Sequence, residues 1–583
     1  MRVSLLLGCV LPSVTALAHP AAETLEARQE PAAAASSSWF LPNLDHTSGP
    51  VRGYVPNLYD ANGKPVYSYP VYKSVSDVKD LANAITSDGP KGQRDNCWLV
   101  GQPRVVYLAP GTYTLSSTLY FNTDTILIGD AKNPPTIRAA PGFNGDYLVV
   151  GGQGDDDARP CGGYFGETHF SVMIKNVVLD TSANAGKRDF TALSWAVAQN
   201  CALVNVKINM PQGAHTGMVL KPGSTISVSD VTFTYGNVGL QWSGHQQGQL
   251  KGLTFDKCTT GIAIDKGNTI SIFAPTCKTV GRCIVLNSGN PWVAVLDGQS
   301  INSGTFFTSA SPHVNFMLEN IAKDTLDSNM VEVDGVAKVG KVGSLGTYIY
   351  GNTYDGGSRA NYQTNPTAKP VSRPAALAPG PGGRFPNIAA PHGRGIRTAV
   401  KGGVLVEATA GTWLAGLGSE HNWLYQLALH DAANVLVSLF QSETNYNQGN
   451  NGAALPGSAE QPFSPRDRTP SDPDYSWCAD DDRACRMGLA QYYVGNNSAV
   501  WHYAAGSWNF DSLTKVSQGL MNYIRDPVAV GGPDAHLHLH GYTVGPKVSR
   551  AMRLPGGKQF GNASDDGYAG SWQSLVADVA VQS

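Results

Sequence analysis

Three features of this 583-residue chain predict an all-β molecule built as a solenoid of parallel strands. The first is composition: 65 Gly and 36 Pro accompany only 15% charged residues, where ordinary globular chains carry about 25% charged residues and about 7% Gly. That balance argues against coiled coils, disorder and helical bundles, and favours turns and strands. The second is an internal repeat. Thr216-Gly217-Met218-Val219-Leu220, Val238-Gly239-Leu240-Gln241, Thr260-Gly261-Ile262-Ala263-Ile264 and Val280-Gly281-Arg282-Cys283-Ile284-Val285 each place a glycine before an apolar strand, and these glycines lie 22, 22 and 20 residues apart. The third is another strand between those units, in Val204–Ile208, Ser229–Phe233 and Gly252–Phe255. Periods of this size mark arrays whose units bury their apolar faces only by stacking. Strand-only units with glycine corners point to a parallel β-helix. A leucine-rich repeat would need a recurrent Leu frame with helices between strands, and a β-sandwich would not phase one motif at this period.

Along the chain, Met1 to Leu11 put one Arg before an apolar run, and Ala16-Leu17-Ala18 supplies the small-x-small pattern of a secretory signal peptide, with a mature start near His19. A membrane span needs ~20 apolar residues, which neither this segment nor any later one offers. Residues 19–38 read as a disordered leader. Ser74-Val75-Ser76-Asp77 opens a short helix with Val78, Leu81, Ala82 and Ile85 on one face. Short strands then follow at Val105–Leu108, Leu119–Phe121 and Ile126–Gly129, separated by turn residues. Residues 355–400, rich in Pro, Gly and Ala, read as a linker or surface loop. Strands resume at Gly403–Glu407, Asn422–Leu427 and Asn434–Phe440, and a last block, 477–583, mixes strands with a helix-like stretch around Leu513 to Ile524.

With 42 Lys+Arg against 45 Asp+Glu and a net charge of −3, nothing marks a nucleic-acid or anionic-membrane partner, so a neutral partner is expected. Without Cys9 in the leader, eight cysteines remain, and an even count in an exported chain predicts disulfides. Cys478 and Cys485 are the most plausible local pair. No CxxC or paired His accompanies them as a metal site would require. Asn496-Asn497-Ser498 and Asn562-Ala563-Ser564 are glycosylation sequons.

Chemistry concentrates in Gly418-Ser419-Glu420-His421-Asn422 and Gln441-Ser442-Glu443-Thr444-Asn445-Tyr446. Glu420 and Glu443 are 23 residues apart, one coil of the repeat, which places them on adjacent rungs. Rungs are spaced ~4.8 Å, close enough for one carboxylate to keep its neighbour protonated as a proton donor for a glycosidic oxygen. Trp413, Trp423, Tyr425 and Tyr446 surround the pair and, with His421, are the candidate sugar-binding residues, since sugar faces pack on aromatic rings. An exposed polar ladder of two glutamates has equal claim from spacing alone. No G-x-S-x-G nucleophile elbow occurs near a suitable strand. His536, His538 and His540 alternate onto one strand face, as a metal site could use, but a solvated edge strand suits them better.

The ordered series Pro110–Tyr113, Leu127–Asp130, Pro135–Ile137, Trp195–Gln199, Ser229–Phe233, Tyr350–Tyr354 and the block from Gly403 to Thr444 resembles the family 55 glycoside hydrolases, the exo-β-1,3-glucanases. The resemblance covers the first 290 or so residues and about the last 180. It implies two right-handed parallel β-helices side by side with an active site in the cleft between them, inversion at the anomeric centre, and glucose release from β-1,3-glucan without a cofactor or metal. It also implies that Glu443 is the general acid, Glu420 its assisting carboxylate, and Gln199 with Ser224 or Thr225 the polar group holding the attacking water. An inverting pair stands ~6.5–9.5 Å apart, so Glu420, nearer to ~5 Å, tunes the acid or binds substrate and is not the base.

Where relatives begin a second β-helix with a further cap and many coils, here the linker runs almost directly into Gly403. The expected organisation is a signal peptide at 1–18, a leader at 19–38, an N-terminal β-helix at 39–300, its continuation or crossover at 301–354, a linker at 355–400 and a truncated C-terminal β-helix at 401–583. The expected protein is secreted and monomeric, with one complete solenoid and a shortened second. Two rival functions are a non-catalytic β-helix binding cell-wall glucan, and a pectin-type lyase or galacturonan hydrolase. The latter needs clustered basic residues or paired Asp for Ca²⁺, which the strands do not offer convincingly.

Overall fold

The computed structural model describes residues 58–59, 65–67, 71–86, 103–130, 132–152, 166–288, 291–351, 353–355, 358–360, 366–367, 369, 371–372, 400–445, 448, 455–457, 469–479, 482–483, 485–509, 520–531, 535–545, 550–560 and 574–580. The signal-peptide and leader segments, Cys97, Cys161, Tyr446, the Asn562 sequon and nearly all of the 355–400 linker fall outside them.

A first β-helix begins at Val71–Val75 and is capped by the helix Val78–Thr86. That helix starts later than the Ser74 signal implies. Ser74 is still in the strand, and Asp77 Oδ1 accepts from the Lys79 backbone N–H at 2.7 Å as the N-cap. Leu81, Ala84 and Ile85 are buried, whereas Ala82 faces out.

Above the cap, strands stack in parallel one coil apart, so equivalent side chains form columns. One runs Val106, Leu127, Ile174, Leu203, Val228, Leu250, Ile272, Val295, Leu318. A second runs Leu119, Val149, Leu193, Met218, Leu240, Ile262, Ile284, Phe307, Val331. Both belong to one buried core. The glycines of the repeat precede the second column because there is no room for side chains: a β-carbon on Gly217 or Gly239 would overlap the next coil's backbone and a Phe ring. Corners turn through left-handed residues such as Asn176, Asn205 and Asp230, and Asn205 Nδ2 donates to Asn176 Oδ1 at 2.9 Å. Past residue 300 the coils continue through Thr305–Ser309 and Asn315–Lys323. Antiparallel pairing with Val336–Val339 and Ser344–Tyr350 then ends the stack.

The second β-helix has two parallel sheets. One contains Val404–Val406, Tyr425–His430, Leu489–Val494, Leu520–Ile524 and Arg550–Arg553. The other contains Thr412–Leu414, Ala433–Val437, Ser498–His502 and Leu537–Gly545, with Leu417–Gly418, Phe440–Glu443 and Ala505–Trp508 alongside. The described end of the helix-like stretch is therefore a strand: Tyr523 faces out beside Tyr492, while Ile524 pairs with Tyr493 in the core. His536 is exposed and precedes the strand Leu537–Gly545, but His538 and His540 within it do not sit on a solvated edge. Leu537–Gly545 has neighbours on both sides, His540 is buried with Nδ1 3.0 Å from Asp578, and His538 stacks on Trp501.

Disulfides join Cys478 to Cys485 and Cys277 to Cys283, while Cys201 and Cys258 are buried thiols. Asn496 is exposed, as its sequon requires.

Candidate active site

The two β-helices meet along one outer face of each. On the first, the column Thr225, Gln247, Thr269, Trp292, Asn315 faces the second. At its apolar end Phe273, Trp292, Leu296 and Met317 pack with Leu436, Leu439, Trp501 and Tyr503, and Trp292 Nε1 donates to the Tyr503 carbonyl at 2.9 Å. Thr269 Oγ1 donates to Thr543 Oγ1 at 2.8 Å, one coil back. The backbones come close: a β-carbon on Gly541 would overlap the Trp292 indole, and one on Gly506 would overlap the Gln247 amide. Toward the earlier coils this face turns polar, and there the carboxylates lie.

Leu417 and Gly418 pair with Phe440 and Gln441, the 23-residue offset of the sequence, and His421 N–H donates to the Glu443 carbonyl at 2.7 Å. Glu420 and Glu443 thus occupy adjacent rungs. Gln199 of the first β-helix donates through Nε2 to Glu420 Oε1 at 2.9 Å, across 221 residues of sequence. Gln441 Nε2 donates to the same oxygen. Two amides, one from each β-helix, clamp this carboxylate in one orientation.

His421 has φ 62°, a left-handed turn immediately after Glu420, and it brings Nε2 to 3.4 Å from Glu443 Oε2. Burial pulls the His421 pKa below its usual value, opposed by the Glu420 charge. Ligand atoms of Glu420, His421 and Glu443 all lie within 4.8 Å of one another. The loop is held by an amide lattice: Asn422 N–H and Nδ2 both donate to Gln426 Oε1 at 2.9 Å, Gln426 Nε2 returns to the Asn422 carbonyl, and Ser419 Oγ donates to the Gln426 carbonyl at 2.8 Å. Buried and mutually satisfied, these groups fix the backbone that carries Glu420.

The other sequence candidates are placed differently. Ser224 is buried one coil from the Gln199 turn, its N–H on the Val197 carbonyl and its Oγ 3.4 Å from Thr225 Oγ1. Thr225 in turn accepts from Gln247 Nε2 at 3.1 Å. Trp413 is half-buried against the apolar inter-helix cluster. Tyr425 is on the other sheet and Trp423 just precedes its strand, only 3% and 7% exposed, under a cover of Tyr475, Trp477 and the Cys478–Cys485 loop. Those two rings pack the second β-helix and offer no face to a ligand. The aromatic neighbour of Glu443 is instead Trp508, its partner on the next rung.

Sequence reasoning gave no role to Gln441, Gln247, Gly506 or Gly541. Gln441 was within reach, because strand alternation puts it on the same face as Glu443. For the other three no local signal exists.

Comparison with known proteins adds two kinds of likeness. The family profile described as "Rhamnogalacturonase A/epimerase, pectate lyase-like" matches residues 77–281. The glucan endo-1,3-beta-glucosidase BGN13.1 of Trichoderma harzianum is 31% identical over 757 aligned positions, covering 94% of this chain and 95% of that one. Because 757 positions exceed the chain's 583 residues by 174, at least that many lie opposite gaps in this chain. The glucan 1,3-beta-glucosidase of Cochliobolus carbonum is 29% identical over 36% of this chain and 29% of its own length.

Proposed function

The chain belongs to family 55 of the glycoside hydrolases, and we propose that it hydrolyses β-1,3-glucan between its two β-helices, with Glu443 as the proton donor. One observation carries the reading: Gln199 of the first β-helix and Glu420 beside Glu443 on the second are hydrogen-bonded to each other, so both halves build one polar site. Glu420, clamped by two amide donors, holds a fixed carboxyl on the rung beside Glu443, the group that brings the proton. Glu443 delivers that proton to the glycosidic oxygen as the bond to the anomeric carbon breaks. The pair is too close to hold a water between its members, so the attacking water belongs on the first β-helix's side, by Gln199 and Ser224.

We take the attack to be exo and inverting. Packing of Trp292, Leu436 and Trp501 closes the space between the β-helices on one side of the carboxylates, which favours a chain end over a strand running through. The relatives' names divide between endo-1,3-beta-glucosidase and 1,3-beta-glucosidase, so product analysis is decisive. Glucose alone as the product of laminarin supports exo attack, and a ladder of oligosaccharides overturns it. Export is supported by the signal-like N-terminus and by two disulfides.

The test of the whole reading is Glu443→Gln. Glucan turnover should fall on the order of 10²- to 10⁴-fold with the thermal transition unchanged. Unchanged turnover removes Glu443 from the reaction, and glucan binding without turnover by the unmodified protein replaces hydrolysis with a binding role.

A further inference from the structure

Glu420 and Glu443 bring with them an imidazole, and the three together have a chemistry that proton transfer does not use. His421 Nε2 lies 3.4 Å from Glu443 Oε2, and a carboxylate oxygen of Glu420 completes a triangle with no side above 4.8 Å. Tetrahedral zinc binds nitrogen and carboxylate oxygen at about 2.1 Å, which puts neighbouring ligands about 3.4 Å apart. One edge of the triangle already has that length, and the others need to close by an ångström or so.

The ligand set, one imidazole and two carboxylates with a fourth position left to water, uses donor types that zinc takes and has the three-ligand count of open zinc sites. Its supports are also in place. Glu420 Oε1 is oriented by Gln199 and by Gln441, and outer partners of this kind raise metal affinity by fixing ligand direction. Gln441 is fully buried, and its own Oε1 has no hydrogen-bond partner among the described residues. His421 is on a left-handed turn whose carbonyl accepts from Asn445 Nδ2 at 3.2 Å, so the ring is carried on a fixed backbone.

We propose that Glu420, His421 and Glu443 form a binding site for a divalent transition-metal ion of the zinc class, and that the ion blocks hydrolysis by occupying the proton donor. Binding forms coordinate bonds from His421 Nε2 and one oxygen of each carboxylate. A proton carried by Glu443 leaves to solvent, and no electrons are transferred. Inhibition rests on the function proposed above, whereas binding does not.

The experiment uses the full chain freed of metal with a chelator and titrated with Zn²⁺ by calorimetry, then with Co²⁺ by visible absorption. The expected result is one ion per chain, absorption bands of a four-coordinate cobalt site, and at least tenfold weaker binding in His421→Ala and in Glu443→Gln. Both variants are checked by thermal unfolding, so a misfolded one is recognised and the second stands in for it. Absence of a one-to-one site, or affinity unchanged in both folded variants, overturns the proposal. Binding in a chain that does not cleave glucan upholds the metal site and removes the hydrolase reading. Cleavage with no zinc binding does the reverse.

Discussion

The two β-helices of this molecule solve the same packing problem with different interiors. In the first, columns such as Val106 to Leu318 are aliphatic from rung to rung, and each coil is a hydrophobic layer on the one before. In the second, the column Leu427, Gln491, Asn522, Met552 turns polar in its middle, and Val437, His502, Leu539 places an imidazole between two aliphatics. Tyr493 donates to Gln491 Oε1 at 2.7 Å, its hydroxyl lies 2.9 Å from that of Tyr542, and Asn522 Nδ2 donates to the Ala551 carbonyl at 2.8 Å. Apolar layers need only to be stacked, whereas buried polar groups must find partners of fixed geometry. The first β-helix is therefore a scaffold in its own right. The second carries buried amides whose hydrogen bonds are only partly met among the described residues, Gln491 Nε2 and Asn522 Oδ1 having no partner there, and it leans on the neighbour against which it lies.

The widest test of this contrast is functional. Glu443→Gln changes one atom group on the second β-helix and should remove nearly all turnover while leaving both stacks intact. Next in size, Leu250→Ala in the middle of the aliphatic column should cost about 2–5 kcal/mol, read from urea unfolding, because rigid neighbours above and below cannot fill the cavity. A loss under 1 kcal/mol would show that the first core is looser than its columns imply.

Acid strains both halves through one buried imidazole each. Burial lowers His245 of the first β-helix to about 4 and His502 of the second to about 3, from an ordinary 6.5. Between pH 6.5 and 4 the unfolded chain binds protons at both residues that the folded chain refuses, so stability falls as pH falls, by about 3 kcal/mol for each. His245 keeps a partner, with Nδ1 3.1 Å from the Lys221 carbonyl, and His502 is stacked on Tyr542 inside the polar core. His502→Leu should recover acid stability between pH 6 and 4. The same acid slope before and after that change would remove His502 from the titration.

The smallest expected effect falls on the join. Gly541→Ala adds a methyl against the Trp292 indole at a backbone with φ +67°, and overpacking of this kind costs about 1–3 kcal/mol. Because the same face carries Gln199 to Glu420, turnover should drop with it, and Trp292 fluorescence should report the separation. A stable variant with unaltered turnover would mean that the β-helices do not need this approach.

Much of this was legible in the sequence. The coil period, the glycines before the second column and the adjacency of Glu420 to Glu443 follow from one-coil offsets, which the chain states locally and repeats. The Cys478–Cys485 pair was readable for the same reason, being closed within a single loop. Trp423 and Tyr425, expected as sugar platforms, lie under a covering loop, and an aromatic at such a position looks the same in sequence whether it meets a ligand or a loop.

What the chain determined alone is its stacking: alternation and period say which side chains point inward and which coil follows which. Only the tertiary structure decided what the outward faces meet. Gln199 reaches Glu420 across 221 residues, Gly541 and Gly506 are glycines because the other β-helix stands against them, and His540 is buried between strands that the sequence left at an edge. Alternation fixes the direction of a side chain but not its surroundings, and the docking of one solenoid on another has no period of its own to read.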